Sequence, residues 1–240
     1  MSIENSPAAE SPIATSPGPG PVLVVAPHPD DEILGLGGTL LRHIAAGDPV
    51  HWLLMVRFRE QDGYSQQFII DRDREIEQVR QAMPFTALHR MELPDSRFET
   101  VPLVDSVDVI AQLVREVQPA TVYLPYPGDA HTDHRYAFDA AAACVKTFRF
   151  PCVRSVRVYE TLSETDFGLH PDRNGFSPQL FVDITGYLER KIEVLSLYTS
   201  EIFDHPFPRS ADAIRAQATL RGAAAGVMAA ECFQLLKEIR

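Results

Sequence analysis

Pro27-His28-Pro29-Asp30-Asp31-Glu32 sets His28, Asp30, Asp31 and Glu32 side by side, directly after the apolar run Pro21–Ala26 and at the start of a helical pattern. Like charges this close repel one another. A helix N-terminus offsets part of that, because acidic groups there gain up to about 1 kcal/mol each from the macrodipole. A purely structural reading therefore makes Asp30 or Asp31 an N-cap and puts Glu32 in the first turn, but it leaves His28 unexplained. A divalent cation explains more. Neutral imidazole nitrogen and anionic carboxylate oxygen are ordinary donors to it, and its charge removes the repulsion. A second aspartate then remains to act as a base on activated water.

A second constellation, Gly128-Asp129-Ala130-His131-Thr132-Asp133-His134-Arg135, follows the apolar run Thr121–Pro125. His131 and His134 are three apart, a spacing that presents both toward one site at a loop-to-helix junction. If Thr121–Pro125 lies beside Pro21–Ala26, both clusters face one pocket. His28, Asp31 and His134 then supply two imidazoles and one carboxylate and leave a coordination position for water, as in a catalytic rather than a structural zinc site. The same donors suit Fe(II), although the usual scaffold of such oxygenases is all-β. Gly35, Gly37 and Gly38 do not make a dinucleotide fingerprint: the strand-to-helix turn holds acids that would repel a pyrophosphate, and glycines inside the helix permit close packing on a sheet.

The order and spacing of the two motifs over residues 21–150 resemble the PIG-L/LmbE-like zinc-dependent N-acetylglucosaminyl deacetylases. Weaker matches are Arg72…Glu75, Leu93-Pro94-Asp95, Arg221-Gly222 and Ala230-Glu231. Thr132 stands where many members carry proline. The resemblance implies His28, Asp31 and His134 as zinc ligands and Asp30 as general base. It implies His131 as the group that stabilises the oxyanion and protonates the leaving amine, with Asp133 orienting His131 and raising its pKa. It also leaves room for a homo-oligomer. The chemistry coheres by itself: an amide is a poor electrophile with a poor leaving group, so it needs a Lewis acid, a base for water and an acid for nitrogen. Arg57 and Arg59, at the end of the second apolar run, are candidate contacts to a substrate phosphate or carboxylate. Rival readings are an amidase on another acylated amine and a metal-holding sugar- or nucleotide-binding module without turnover. The second leaves Asp30 and His131 without a task.

The elements that must position these residues alternate. Continuous apolar runs at Pro21–Ala26, Val50–Phe58 and Thr121–Pro125 read as strands covered on both faces. Leu88–Leu93, Ser155–Glu160 and Leu180–Ile184 read as further strands. Helices are predicted over Glu32–Ala46, Asp71–Met83, Val104–Val117, Asp133–Phe148, Tyr187–Thr199 and Ala211–Leu236. This is the pattern of an α/β fold, a Rossmann-like three-layer sandwich with a mainly parallel sheet, whose ligands sit at the carboxyl ends of the strands. The loop 163–178 is a candidate pocket rim or oligomer contact. Trp52 and the aromatics of Phe148–Phe150 read as core, and His43, His51, His89, His170 and His205 as structural.

With 22 basic and 33 acidic residues among 240, the formal charge is −11. That balance argues against nonspecific nucleic-acid binding, which requires a basic surface. No apolar run reaches the roughly 20 residues that span a bilayer, and the N-terminus lacks the basic start and apolar core of a signal peptide. Residues 1–20, rich in Pro, Ser, Ala and Gly, are expected to be a disordered tail before a single domain over 21–240. Three widely spaced cysteines without a CxxC suit reduced, buried side chains in a cytoplasmic protein. The expected substrate is a small amino sugar or a conjugate of one.

Overall fold

The computed structural model describes residues 16–169 and 175–240. Seven strands form one sheet in the order β3-β2-β1-β4-β5-β7-β6. The strands are β1 (Val22–Ala26), β2 (Val50–Arg57), β3 (Ala87–Pro94), β4 (Thr121–Pro125), β5 (Ser155–Tyr159), β6 (Leu180–Asp183) and β7 (Ala230–Glu238). Strands β1 to β5 are parallel, and β7 runs antiparallel to both β5 and β6. The helices α1 (Asp31–Ala45), α2 (Gln66–Ala82), α3 (Leu103–Val117), α4 (Thr132–Ala142), α5 (Leu188–Leu195) and α6 (Ala211–Ala225) cover both faces. Helix α1 packs on α5, and α5 on α2 and α6, while α3 packs on α4. The expected three-layer, Rossmann-like fold is the one observed.

The central strands β1 and β4 are buried at every position. They pair directly, with Val22 opposite Thr121 and Val24 opposite Tyr123. Chain order reverses between them, so the loops after the two strands leave the sheet in a shared crevice. Both ionisable clusters lie on those loops.

Helices α4 and α5 stop at Ala142 and Leu195, short of the expected Phe148 and Thr199, and two larger features depart from the sequence reading. The stretch Ala211–Leu236 is not one helix: α6 ends at Ala225, Gly226 closes it at φ 74°, and the chain returns as β7. Ala230–Phe233 are buried between β5 and β6, and a short apolar run of that kind does not distinguish strand from helix by its periodicity. The usable signal was Gly226, a left-handed C-terminal stop. Helix α2 begins at Gln66 rather than Asp71, because the Ser65 hydroxyl caps it by accepting from the Phe68 amide. Of the proposed tail, residues 16–20 are tied to the body: the Ser16 hydroxyl and the Gly20 amide donate to Asp48, and the Pro17 carbonyl accepts from Arg157. Residues 1–15 and 170–174, with His170 among them, lie outside the described residues.

The in-helix glycines serve close approach. A Cβ on Gly35 would fall 2.3 Å from the ring of Tyr159 on β5, and one on Gly38 would fall 2.8 Å from Ile184. Trp52 is fully buried, whereas Phe148 points outward. His43 is a core histidine: Nδ1 lies 2.8 Å from Asp48 and Nε2 lies 3.0 Å from the Tyr123 hydroxyl.

Candidate functional site

The turn from β1 into α1 directs its side chains by backbone bonds. The Asp30 carbonyl accepts from the amides of Ile33 and Leu34, which makes Asp30 the N-cap position of α1. Its side chain takes no part in that cap. It points into a cleft and accepts a 2.7 Å hydrogen bond from Arg209 Nη1. Asp30 holds φ at 120°, a conformation that costs a non-glycine residue about 1–3 kcal/mol and recurs at functional sites. Asp31 turns inward, and its Oδ2 accepts from the His28 amide at 2.8 Å.

The start of α4 completes the arrangement. His131 is its N-cap: ring Nδ1 accepts from the Asp133 amide at 3.2 Å, which orients the ring and leaves Nε2 facing the cleft, 3.5 Å from the Ser96 hydroxyl. His134, one turn on, is buried and projects back toward β1.

His28, Asp31 and His134 converge. Asp31 Oδ2 lies 3.4 Å from His28 Nδ1 and 3.3 Å from His134 Nε2, and the three donor atoms lie within 4.8 Å of one another. Tetrahedral ligands at zinc–nitrogen and zinc–oxygen bond lengths are about 3.3 Å apart, so this donor set fits one divalent ion. The far nitrogen of each imidazole is held by another carboxylate: His28 Nε2 lies 3.2 Å from Asp133 Oδ2, and His134 Nδ1 lies 2.7 Å from Asp129 Oδ2. That carboxylate–histidine pairing fixes the ring and the tautomer of metal-binding histidines.

The electrostatics agree. Burial opposes charge on His28, but hydrogen bonds to Asp133 and Asp31 outweigh it and raise its pKa to about 9. Burial likewise opposes charge on His134, and Asp31 and Asp129 hold it well above its ordinary value. Asp31 is held well below the usual carboxylate range: burial resists this, and the two imidazoles prevail. The three groups together attract positive charge. Asp30 differs. Burial pushes it up to about 7, against the pull of Arg209.

A second set, His28, His131 and Asp133, also clusters within 4.8 Å. Most of its donors are engaged elsewhere, and only His131 Nε2 stays open to the cleft. Asp133 Oδ2 accepts from the Ser96 amide and Oδ1 from the Phe98 amide, while His131 Nδ1 is occupied by the Asp133 amide. This corrects one expectation. The Asp133 carboxylate, 3.9 Å from His131 Nδ1 but 3.2 Å from His28, still favours charge on His131, yet its pull is outweighed. Burial, followed by the neighbouring charge of His28, lowers the His131 pKa.

The cleft has a volume of about 220 Å³ and is walled by Phe58, Tyr64 and Phe68 on one side and by Asp95, Glu164, Glu201 and Arg209 on others. Arg57 and Arg59 are not among its lining residues. Both turn to the sheet edge and pair with Glu92, at 2.7 and 3.3 Å. The arginines of the cleft are Arg72 and Arg209. Sequence reasoning missed Asp129 and Arg209 as site residues. Asp129 stood inside the second cluster, five residues before His134; Arg209 carried no local signal, being nearly 180 residues from Asp30. Of the loop 163–178, Glu164 reaches the site: Oε2 accepts from the His131 amide at 3.1 Å.

The profile of the family described as PIG-L: GlcNAc-PI de-N-acetylase matches residues 23–145. The chain is 26% identical over 195 residues to a diacetylchitobiose deacetylase of Thermococcus kodakarensis, covering 75% of this chain and 69% of that one. It is 24% identical over 191 residues to a probable N-acetyl-alpha-D-glucosaminyl L-malate deacetylase 2 of Bacillus anthracis, covering 75% and 80%. Among solved structures, a conserved protein of Thermus thermophilus superposes with a TM-score of 0.71 at 26% identity, covering 91% of this chain and 95% of that one. A 4-carboxy-2-hydroxymuconate hydratase of Pseudomonas putida shares the fold, with a TM-score of 0.69 at 18% identity over 90% of this chain and 96% of that one.

Proposed function

The chain belongs to the PIG-L family, and from that premise we propose that it is a zinc-dependent hydrolase removing the acetyl group from an N-acetylated amino sugar or sugar conjugate. The observation that carries this reading is the convergence of His28, Asp31 and His134, with donor atoms within 4.8 Å of one another and Asp31 3.4 and 3.3 Å from the two imidazoles, and with Asp30 and His131 in the same cleft. The two deacetylases among the relatives support the acyl-sugar substrate. Fold alone would not, since a hydratase shares it.

His28 Nδ1, Asp31 Oδ2 and His134 Nε2 would hold the ion. A divalent cation in such a set polarises an amide carbonyl and lowers the pKa of water toward about 7. Asp30, held by Arg209 and placed at the cleft wall, takes the proton from the attacking water. His131, with Nδ1 fixed by a backbone amide, presents Nε2–H as a hydrogen bond to the developing oxyanion, and the proton that Asp30 has taken from water goes to the departing amine as the C–N bond breaks. The carboxylates of Asp133 and Asp129 hold the rings of His28 and His134, and Asp133 orients His131 through its backbone amide. In this reading residues 21–240 form the one catalytic domain. No helix among the described residues is long and apolar enough to cross a membrane. A cytoplasmic location is part of the same proposal and is supported by three cysteines without a disulfide.

The test is zinc-loaded protein incubated with a panel of N-acetylated sugars and assayed for free amine and acetate. Release of both from at least one sugar, abolished by a chelator and restored by zinc, is the expected outcome. No release from any sugar would sink the deacetylase reading.

A further inference from the structure

Both cleft arginines are already committed to carboxylates of this chain. Arg209 donates from Nε to the Ser163 hydroxyl at 2.7 Å, from Nη1 to Asp30 at 2.7 Å and Glu201 at 3.0 Å, and from Nη2 to Glu164 at 3.3 Å. Each of its three nitrogens therefore has a partner, and four of its five N–H groups are used. Arg72 is 4% exposed. Its Nη2 donates to the Ser200 hydroxyl at 2.8 Å and to Glu201, and its Nη1 lies 3.3 Å from Glu75. The rings of Phe58, Phe68 and Tyr198 surround its guanidinium at 5.8, 5.5 and 6.0 Å. Glu201 bridges the two arginines. Recognition of phosphate or carboxylate ordinarily uses an open guanidinium fork. Arg72 Nε and Nη1 make no hydrogen bond, but they are sealed from solvent, so among the described residues the cleft presents no open fork.

The charge count points the same way. A divalent cation at His28, Asp31 and His134 would offset the charges of Asp30 and Asp31. Asp95, Glu164 and Glu201 then face Arg72 and Arg209, three acids against two bases. An entering anion meets net negative charge. An uncharged sugar meets the aromatic faces of Phe58, Tyr64 and Phe68 and hydrogen-bonding carboxylates.

We propose that this cleft selects acylated amino sugars without negative charge and disfavours conjugates that carry a phosphate or carboxylate, with Glu164 and Glu201 as the residues that set the preference by occupying the arginines. The proposal rests on the deacetylase reading above and specifies its substrate class. It is tested by comparing kcat/KM for N-acetylglucosamine and N,N′-diacetylchitobiose with that for N-acetylglucosamine 6-phosphate and for N-acetylglucosaminyl malate, at low and high salt. The expected result at low salt is at least a tenfold preference for the uncharged sugars. That gap should narrow at roughly 0.5 M salt, where a Debye length of only a few ångströms screens the repulsion. Glu201→Gln and Glu164→Gln should each narrow it at low salt by raising kcat/KM on the anionic sugars. Equal or faster turnover of the phosphate or malate sugar at low salt would overturn the proposal and leave the deacetylase reading standing. Failure to turn over any of the four would strike that reading instead. The salt series on the unaltered chain decides the matter even if neither variant folds.

Discussion

At the scale of single residues, two adjacent aspartates have different environments, and that difference makes them separable. Asp31 sits between two imidazoles, 3.4 and 3.3 Å from their nitrogens, while Asp30 faces Arg209 across the cleft. Asp31→Ala is expected to lose bound metal when measured by elemental analysis. Asp30→Asn is expected to keep it and to lose about 10²–10⁴-fold in turnover, the range for a general base. The reverse pattern would exchange the two roles. His131→Ala should also keep its metal and lose at least tenfold in turnover, because its Nδ1 is engaged by a backbone amide and not directed to the donor set. His43 yields a stability prediction. Burial lowers its pKa to about 4, against the pull of Asp48. Between about pH 6.5 and 4 the unfolded chain binds a proton that the folded chain excludes, so this group removes stability as pH falls through that window. The whole window is worth about 3 kcal/mol. Urea midpoints of the unaltered chain and His43→Gln should converge as pH drops from 7 to 4.5; parallel curves would refute the assignment.

At the scale of elements, α1 is kinked at Leu36, where φ is −149°. The kink frees backbone groups, and two residues from distant elements satisfy them. Glu231 of β7 accepts from the amides of Gly38 and Thr39 at 2.9 and 2.6 Å, and Lys191 of α5 donates to the Leu34 carbonyl at 2.8 Å. Lys191 and Glu231 are themselves 2.7 Å apart and buried. This clamp joins the helix that begins with the proposed metal ligand Asp31 to the C-terminal strand. Lys191→Met leaves the Glu231 charge buried without its cation, so a loss of about 3–5 kcal/mol is expected in urea unfolding. Lys191→Met/Glu231→Gln should recover part of that loss, and a purely additive double variant would show that the pair does not interact.

At the scale of the molecule, the site exists because β1 and β4 are neighbours and because the last third of the chain folds back over their ends. Strand β7 is the bridge between β5 and β6 and carries Glu231, while the segment before α6 carries Arg209. Truncation before Ala230 should therefore leave no cooperatively folded protein: β5 would lose its antiparallel partner, β6 its one strand neighbour among the described residues, and α1 its clamp. Circular dichroism through a thermal ramp checks this, and a sharp native-like transition in the truncated chain would contradict it.

The local chemistry was legible in the sequence. Strand β1 and its ionisable turn, strand β4 and its two histidines, and the alternation that makes an α/β sheet all depend on residues adjacent in the chain, where periodicity and spacing carry the information. The same two motifs hold His28, Asp31 and His134, whose side chains converge in the structure. What the tertiary structure alone decided concerns partners far apart in the chain. The Asp133 carboxylate meets His28, leaving only its amide to His131, because the backbone amides of Ser96 and Phe98 hold its oxygens. Arg57 and Arg59 went to Glu92 on the neighbouring strand, and Arg209 came into the cleft instead. The C-terminal apolar stretch became a strand because β5 and β6 left a place for one. A side chain's reach is only a few ångströms, so which of several charged neighbours it meets is set by strand order and loop path.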